Sequence, residues 1–156
     1  MGLSSSHREL LIADTTFVSV WQTSSVASGT TKHWPRHVIR RIEDATLSIS
    51  VVTVAELRAG HLKARWGARR RLDHERWLRQ FEQCGVDRSI AEAWAILKDT
   101  TRRNGRVCGD NDLWIAATGF ARGVPVLTCD RDFLTMRRAG LDVIHLPRHP
   151  EPSVAE

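Results

Sequence analysis

An α/β domain with a mainly parallel central sheet of four to five strands is predicted by two features of this sequence. Short apolar or β-branched runs mostly end at an acid or a hydroxyl residue, and segments of helical period separate them. Strands alternating with helices imply right-handed crossovers, so the helices are expected on both faces of the sheet. The length, 156 residues with 42% hydrophobic and 26% charged, fits one domain able to bury a core without disulfide or metal staples.

The first strand is Leu10-Leu11-Ile12-Ala13, which stops at Asp14-Thr15-Thr16. Phe17, Val20 and Trp21 then follow helical spacing, Ser24 to Lys32 reads as a loop, and Trp34, Val38 and Ile42 mark a helix from His33 to Asp44. Leu47 to Val52 is the second strand, β-branched and partly alternating. Thr53-x-x-Glu56 has the spacing of a capping box at the start of the helix after it. Ala64 to Gln83 is basic and amphipathic, an exposed helix or helical pair anchored by Trp77, Leu78 and Phe81. Val86 is placed in a short third strand, and Ile90, Ala93, Trp94 and Leu97 trace another helix. Gly105 and Gly109 bracket a turn before a helix in which Leu113, Ala116, Ala117 and Phe120 share one face, with Asp110 or Asn111 as its cap. Gly123 stops that helix. Pro125 to Thr128 and Val143 to Leu146 are the last strands, around a short helix containing Phe133, Met136 and Leu141. Three units are expected: a polar tail over 1–9, the domain over 10–146, and a flexible, proline-containing tail over 147–156.

No apolar run reaches the roughly 20 residues of a membrane helix, and the first residues lack the apolar core of a signal peptide. Cys84, Cys108 and Cys129 are an odd set without C-x-x-C spacing, which argues against a disulfide framework or zinc knuckle and for a reducing, cytoplasmic setting. Pro147 and Pro150 argue against the helix that would align His145 and His149 as a metal pair. The formal net charge is +5, and nearly all the cations are arginines, whose planar forks suit phosphate. Clusters such as Arg69-Arg70-Arg71 are equally ordinary as solvated helix faces.

The chemistry rests on the acids. Asp14, Glu56 and Asp130 each follow a strand by a few residues, and Asp112 opens a helix leading into one. Each has a local explanation: Asp112 complements a helix dipole, Glu56 completes a capping box, and the others end strands in turns. Those explanations give no reason for all of them to fall at the carboxyl edge of one parallel sheet, where sites form. Carboxylates gathered there repel one another unless a cation intervenes, and oxygen-only donors favour Mg²⁺ or Mn²⁺. Such ions support phosphodiester hydrolysis.

The order Asp14-Thr15-Thr16, Thr53-x-x-Glu56-Leu57, Asn111-Asp112-Leu113-Trp114-Ile115-Ala116-Ala117-Thr118 and Leu127-Thr128-Cys129-Asp130-Arg131-Asp132-Phe133 resembles that of PIN-domain ribonucleases, and within them VapC toxins of type II toxin–antitoxin systems. The resemblance spans roughly Leu10 to Leu146. It implies a Mg²⁺- or Mn²⁺-dependent endoribonuclease that uses a metal-activated water and leaves a 5′-phosphate and a 3′-hydroxyl. It further implies inhibition by a cognate antitoxin, and either a homodimer or a heteromeric complex with that antitoxin. Asp14, Glu56 and Asp112 would be the core metal acids and Asp130 the fourth. Asp132 is the alternative fourth acid, since either carboxylate of the pair could face the pocket and the second could cap the next helix. Asp110 is an extra acid better read as a turn or cap residue, and Thr15 and Thr128 would orient ligands or water. The six tryptophans are better read as core or interface anchors than as platforms for RNA bases. A non-catalytic RNA- or protein-binding scaffold, with every acid a cap, is the competing reading. Dehalogenase-type hydrolases, receiver domains and P-loop folds fail because Thr16 stands where a second Asp is needed, no late Lys follows Lys98, and the glycine motifs are missing.

Overall fold

The computed structural model describes residues 8–26 and 33–150. Five strands form one sheet in the order β3-β2-β1-β4-β5, and all four neighbouring pairs are parallel. In chain order the elements are β1 (Leu10–Ala13), α1 (Thr15–Val26), α2 (Arg36–Asp44), β2 (Thr46–Ser50), α3 (Val51–Lys63), α4 (Ala68–Leu78), β3 (Glu82–Cys84), α5 (Arg88–Arg103), α6 (Asp110–Arg122), β4 (Val126–Thr128), a 3₁₀ helix (Arg131–Ala139) and β5 (Val143–His145).

β1 is central, and alternation along it supplies both faces of the core. Leu11 and Ala13 pack with Phe17, Trp34, Ile42, Leu57 and Leu78 on one side, while Ile12 packs with Ile90, Leu97, Leu113, Phe133 and Met136 on the other. Fully buried side chains of this size are each worth about 1.5–3 kcal/mol. α6 lies close against the sheet at Gly119, where an added Cβ would come within 2.5 Å of a Val126 methyl and 3.0 Å of the Val124 carbonyl. Gly123 ends α6 in the left-handed region at φ 63°, as expected of a helix stop.

Several boundaries differ from the sequence reading, each for a local reason. β2 ends at Ser50, whose hydroxyl accepts from the Val52 amide at 3.2 Å and so caps α3 three residues early. Val51 and Val52 are therefore helical despite their β-branched side chains, and Thr53 is a buried helix-interior residue rather than half of a capping box. α2 begins at Arg36, after Pro35, and not at His33; the His33 and Trp34 rings donate instead to the Pro147 carbonyl at 2.7 and 2.8 Å. The third strand is Glu82–Cys84 and pairs with Ser48 to Ser50, leaving Val86 exposed beyond it. α6 is capped by the backbone of Gly109, so Asp110, Asn111 and Asp112 all lie in its first turn and neither Asp110 nor Asn111 is the cap. The 3₁₀ helix stops at Gly140, in the left-handed region at φ 95°, which leaves Leu141 outside it. α1 continues through Val26, where the loop from Ser24 was expected; residues 27–32 of that loop lie outside the described residues. So do 1–7 and 151–156 of the two expected tails, although Glu9 is tied to Arg41 at 2.6 Å. Among the described residues, no helix is long and apolar enough to cross a membrane.

Candidate metal centre

Asp14 leaves β1 with its amide bonded to the Leu127 carbonyl at 3.0 Å, which ties the end of β1 to β4. Its carboxylate then opens α1, Oδ1 accepting from the Phe17 amide at 2.7 Å. The Thr128 hydroxyl donates to Oδ2 at 2.8 Å, and the Thr16 hydroxyl reaches both oxygens at 2.9 and 2.8 Å. Asp14 is 1% exposed, and this burial pushes its pKa up to about 6. The bonds from Phe17, Thr128 and Thr16 oppose that rise, and the charge of Asp130 adds to it.

Asp112 is half-buried in the first turn of α6 and is also pushed up to about 6. Burial is again the first cause, followed by repulsion from Asp130, Glu56, Asp14 and Asp132. The charges of acids on three other segments thus bear on this one carboxylate. The Asp112 carboxylate lies back over the helix cap, where an added Cβ at Gly109 would stand 3.3 Å from Oδ2.

Glu56, in the second turn of α3, is held from two sides. Asn111 Nδ2 donates to Oε1 at 3.0 Å, and the Thr15 hydroxyl donates to Oε2. Asp130 caps the 3₁₀ helix by accepting from the Asp132 amide at 2.9 Å, and its own amide donates to Thr128 Oγ1 at 2.9 Å. The capping role thus falls to Asp130 and not to the expected Asp132, because the Asp130 carboxylate is in reach of the Asp132 amide. Asp130 nevertheless acts on both Asp14 and Asp112, whereas Asp132 is exposed and acts on Asp112 after the other three acids. Asp110 turns away to pair with Lys98 at 2.7 Å.

Thr16 and Asn111 also contact the acids, which the sequence motifs alone do not single out. Thr16 supports Asp14 and also accepts from the Cys129 amide at 3.0 Å, and Asn111 fixes Glu56 across 55 residues of sequence. Only their position beside the predicted acids could have flagged them. Thr15 and Thr128 do contact the acids, as expected.

The donor set is oxygen-rich and self-repelling, which suits a hard divalent ion. Among the described residues no three His, Cys, Asp or Glu side chains are already gathered as a cage: Glu56 is turned to Thr15 and Asn111, and Asp130 to its helix cap. All three cysteines are free and buried, and burial with the nearby Asp14 charge pushes the Cys129 thiol up to about 12, so it is no nucleophile.

A five-stranded parallel sheet with acids converging at its carboxyl edge is the arrangement of a PIN domain, and the PIN domain family model matches residues 13–139. The chain belongs to the PIN-domain family. Its curated relatives include Ribonuclease VapC4 of Mycobacterium tuberculosis, 42% identical over 90 residues that make up 56% of this chain and 69% of the relative. Ribonuclease VapC5 of the same organism is 37% identical over 103 residues, 62% of this chain and 76% of the relative. Among solved structures, VapBC-5 of M. tuberculosis, a member of the VapBC family of toxin-antitoxin systems, superposes with a TM-score of 0.63 at 29% identity, covering 88% of this chain and 98% of that one. The DNA-bound VapBC of Salmonella typhimurium gives 0.70 at 23% identity over the same shares, a likeness of fold.

Proposed function

We propose that this chain is the ribonuclease toxin of a VapBC-type toxin–antitoxin pair, an endoribonuclease that depends on Mg²⁺ or Mn²⁺. The observation that carries the reading is the convergence of Asp14, Glu56, Asp112 and Asp130 from four segments onto one edge of the sheet. Membership of the PIN family and the VapC relatives support it. RNA is the substrate, a cognate antitoxin the inhibitor, and the protein acts in the cytoplasm, as a homodimer or bound to its antitoxin.

Asp14 and Asp112 would hold the ion, with Glu56 and Asp130 completing its surroundings. When bound, the ion supplies Lewis-acid stabilisation of phosphoryl charge and makes water more acidic. The chain's own part is to hold those carboxylates in place. Thr16, Thr128 and the Phe17 amide orient both oxygens of Asp14. Asn111 and Thr15 orient Glu56, leaving its carboxylate fixed between α3 and α6. Asp130 is preferred to Asp132 as the fourth acid, since it acts on both central carboxylates.

The test is cleavage of structured RNA by the purified chain with Mn²⁺ or Mg²⁺ and with chelator, alongside toxicity of the wild type and of Asp14→Ala and Asp112→Asn in cells. Metal-dependent cleavage and toxicity lost in both variants are expected. No cleavage under any of these metals, with toxicity unchanged in the variants, would leave the non-catalytic scaffold standing.

A further inference from the structure

α4 carries few of the signals that hold a helix in place. Gly67 precedes it without a side-chain bond to its free amides, and no acid in its first turn offsets Arg69-Arg70-Arg71 near the positive end of its dipole. The chain reaches it from α3 through Ala64 to Gly67, where Arg65 stands in the left-handed region at φ 52°. Two of its eleven residues are buried, His74 and Leu78. One of these two anchors is therefore a histidine. His74 is 2% exposed, and among the described residues neither of its ring nitrogens has a hydrogen-bond partner. His61 of α3 meets it edge-on with ring centroids 4.2 Å apart, and Trp66 and Trp77 each stand at 5.8 Å.

That environment has no place for a second proton. A neutral imidazole carries one N–H, whereas a protonated one carries two and a charge, and buried donors without acceptors are costly. The charged groups around the pair do little to offset this. Glu75 of α4 attracts a proton to both rings, but Arg58 of α3 engages it at 2.9 Å. Arg70, Arg58 and Arg71 repel a proton from His61, and His61 repels one from His74. Glu56 and Asp73 line the groove on which the pair borders, and α1 brings Thr15, Ser19, Gln22 and Thr23 to it, none of which titrates. Both imidazoles are held below their ordinary pKa, first by burial.

We propose that the His61–His74 contact is an acid-sensitive latch: protonation of His74 undocks α4 from α3 about a hinge at Arg65 to Gly67, and so removes one wall of the groove that Thr15 and Glu56 also line. The device goes beyond the ribonuclease reading and does not depend on it. As pH falls through the ordinary histidine value of about 6.5, the undocked helix takes up a proton that the docked one refuses, so opening increases with acid. Asp14 and Asp112, whose pKa values are raised, work in the opposite direction at the acid site. Acid therefore loosens α4 while the centre of the sheet holds, which makes the latch a local event.

The test is amide hydrogen exchange of the full chain in chelator at pH 7.5 and pH 5.5, corrected for the pH dependence of the intrinsic rate and read separately over α4 and over β1 and β4. Protection of α4 should fall by about tenfold between the two pH values, while the strands lose none. His74→Phe keeps a planar ring that cannot take a proton, and its α4 should be protected nearly equally at both. Equal protection of α4 at both pH values in the wild type overturns the latch. So does a fall of the same size in His74→Phe, which would place the titrating group elsewhere. Should that variant not fold, the wild type alone decides through the proton resonances of its histidine rings. His74 taking up its proton in step with the loss of α4 protection supports the latch, and His74 titrating near 6.5 with α4 still protected overturns it.

Discussion

Asp14 and Asp112 are both pushed up to about 6, but they are held there by different balances. At the strand end, burial is opposed by a backbone amide and two hydroxyls, so Asp14 is fixed in direction whatever its charge. At the helix start, burial is compounded by four other carboxylates, with no hydrogen bond among the leading influences on Asp112. One acid is positioned by hydrogen bonds; the other is set by repulsion, which the proposed cation would relieve.

The largest effects should come from neutralising each acid in turn. Asp14→Asn and Asp112→Asn should each lower metal-dependent RNA cleavage by more than about a hundredfold, beyond the usual cost of losing an outer partner of a metal site. Stability should separate them: without metal at pH 7, Asp112→Asn should raise the melting temperature, because it relieves repulsion and gives up no leading hydrogen bond. Asp14→Asn should gain less, because it weakens the bonds from Thr16 and Thr128. Equal shifts in the two variants would dissolve the contrast.

The pH dependence of unfolding comes next. A folded pKa of about 6 for Asp14, raised from 3.8, means the native state binds a proton that the unfolded chain lacks between those values. Stability should therefore increase as pH falls from about 6 to about 4, by on the order of 2–3 kcal/mol from this group. Denaturant titrations of wild type and Asp14→Asn in chelator read this directly as a gap that closes on acidification. Added Mg²⁺ should stabilise the wild type at pH 7 and do so progressively less as pH falls through 6.

Asn111→Ala should lower activity by roughly tenfold with little change in melting temperature, since it frees Glu56 without touching the core. The smallest effect is expected at Asp110→Asn, which loses an exposed pair with Lys98. That change should stay within about 0.5 kcal/mol and leave cleavage intact, separating the two acids that flank Asn111.

The strand-then-acid rhythm was legible because parallel strands buried on both faces read as apolar runs, and their carboxyl ends must meet one edge. Asp14, Glu56, Asp112 and Asp130 could be placed there from the sequence for that reason. What escaped was set by contacts between distant residues or by competing local signals. Ser50 outcompeted Thr53 as a cap because it is the last extended residue and its hydroxyl is in reach of the Val52 amide. β3 was displaced toward Val86 because Glu82-Gln83-Cys84 is a polar edge strand with no apolar signature. The bonds of Thr16 to Cys129 and of Asn111 to Glu56 join residues that no local pattern connects.

The sheet order has a consequence in time. β1 emerges first from the ribosome, yet its neighbour β4 and the Thr128 and Asp130 that complete the pocket come more than a hundred residues later. At about 5–20 residues per second, Asp14 waits on the order of ten seconds for its partners during synthesis. A nascent chain therefore carries its first acid long before the residues that surround it exist.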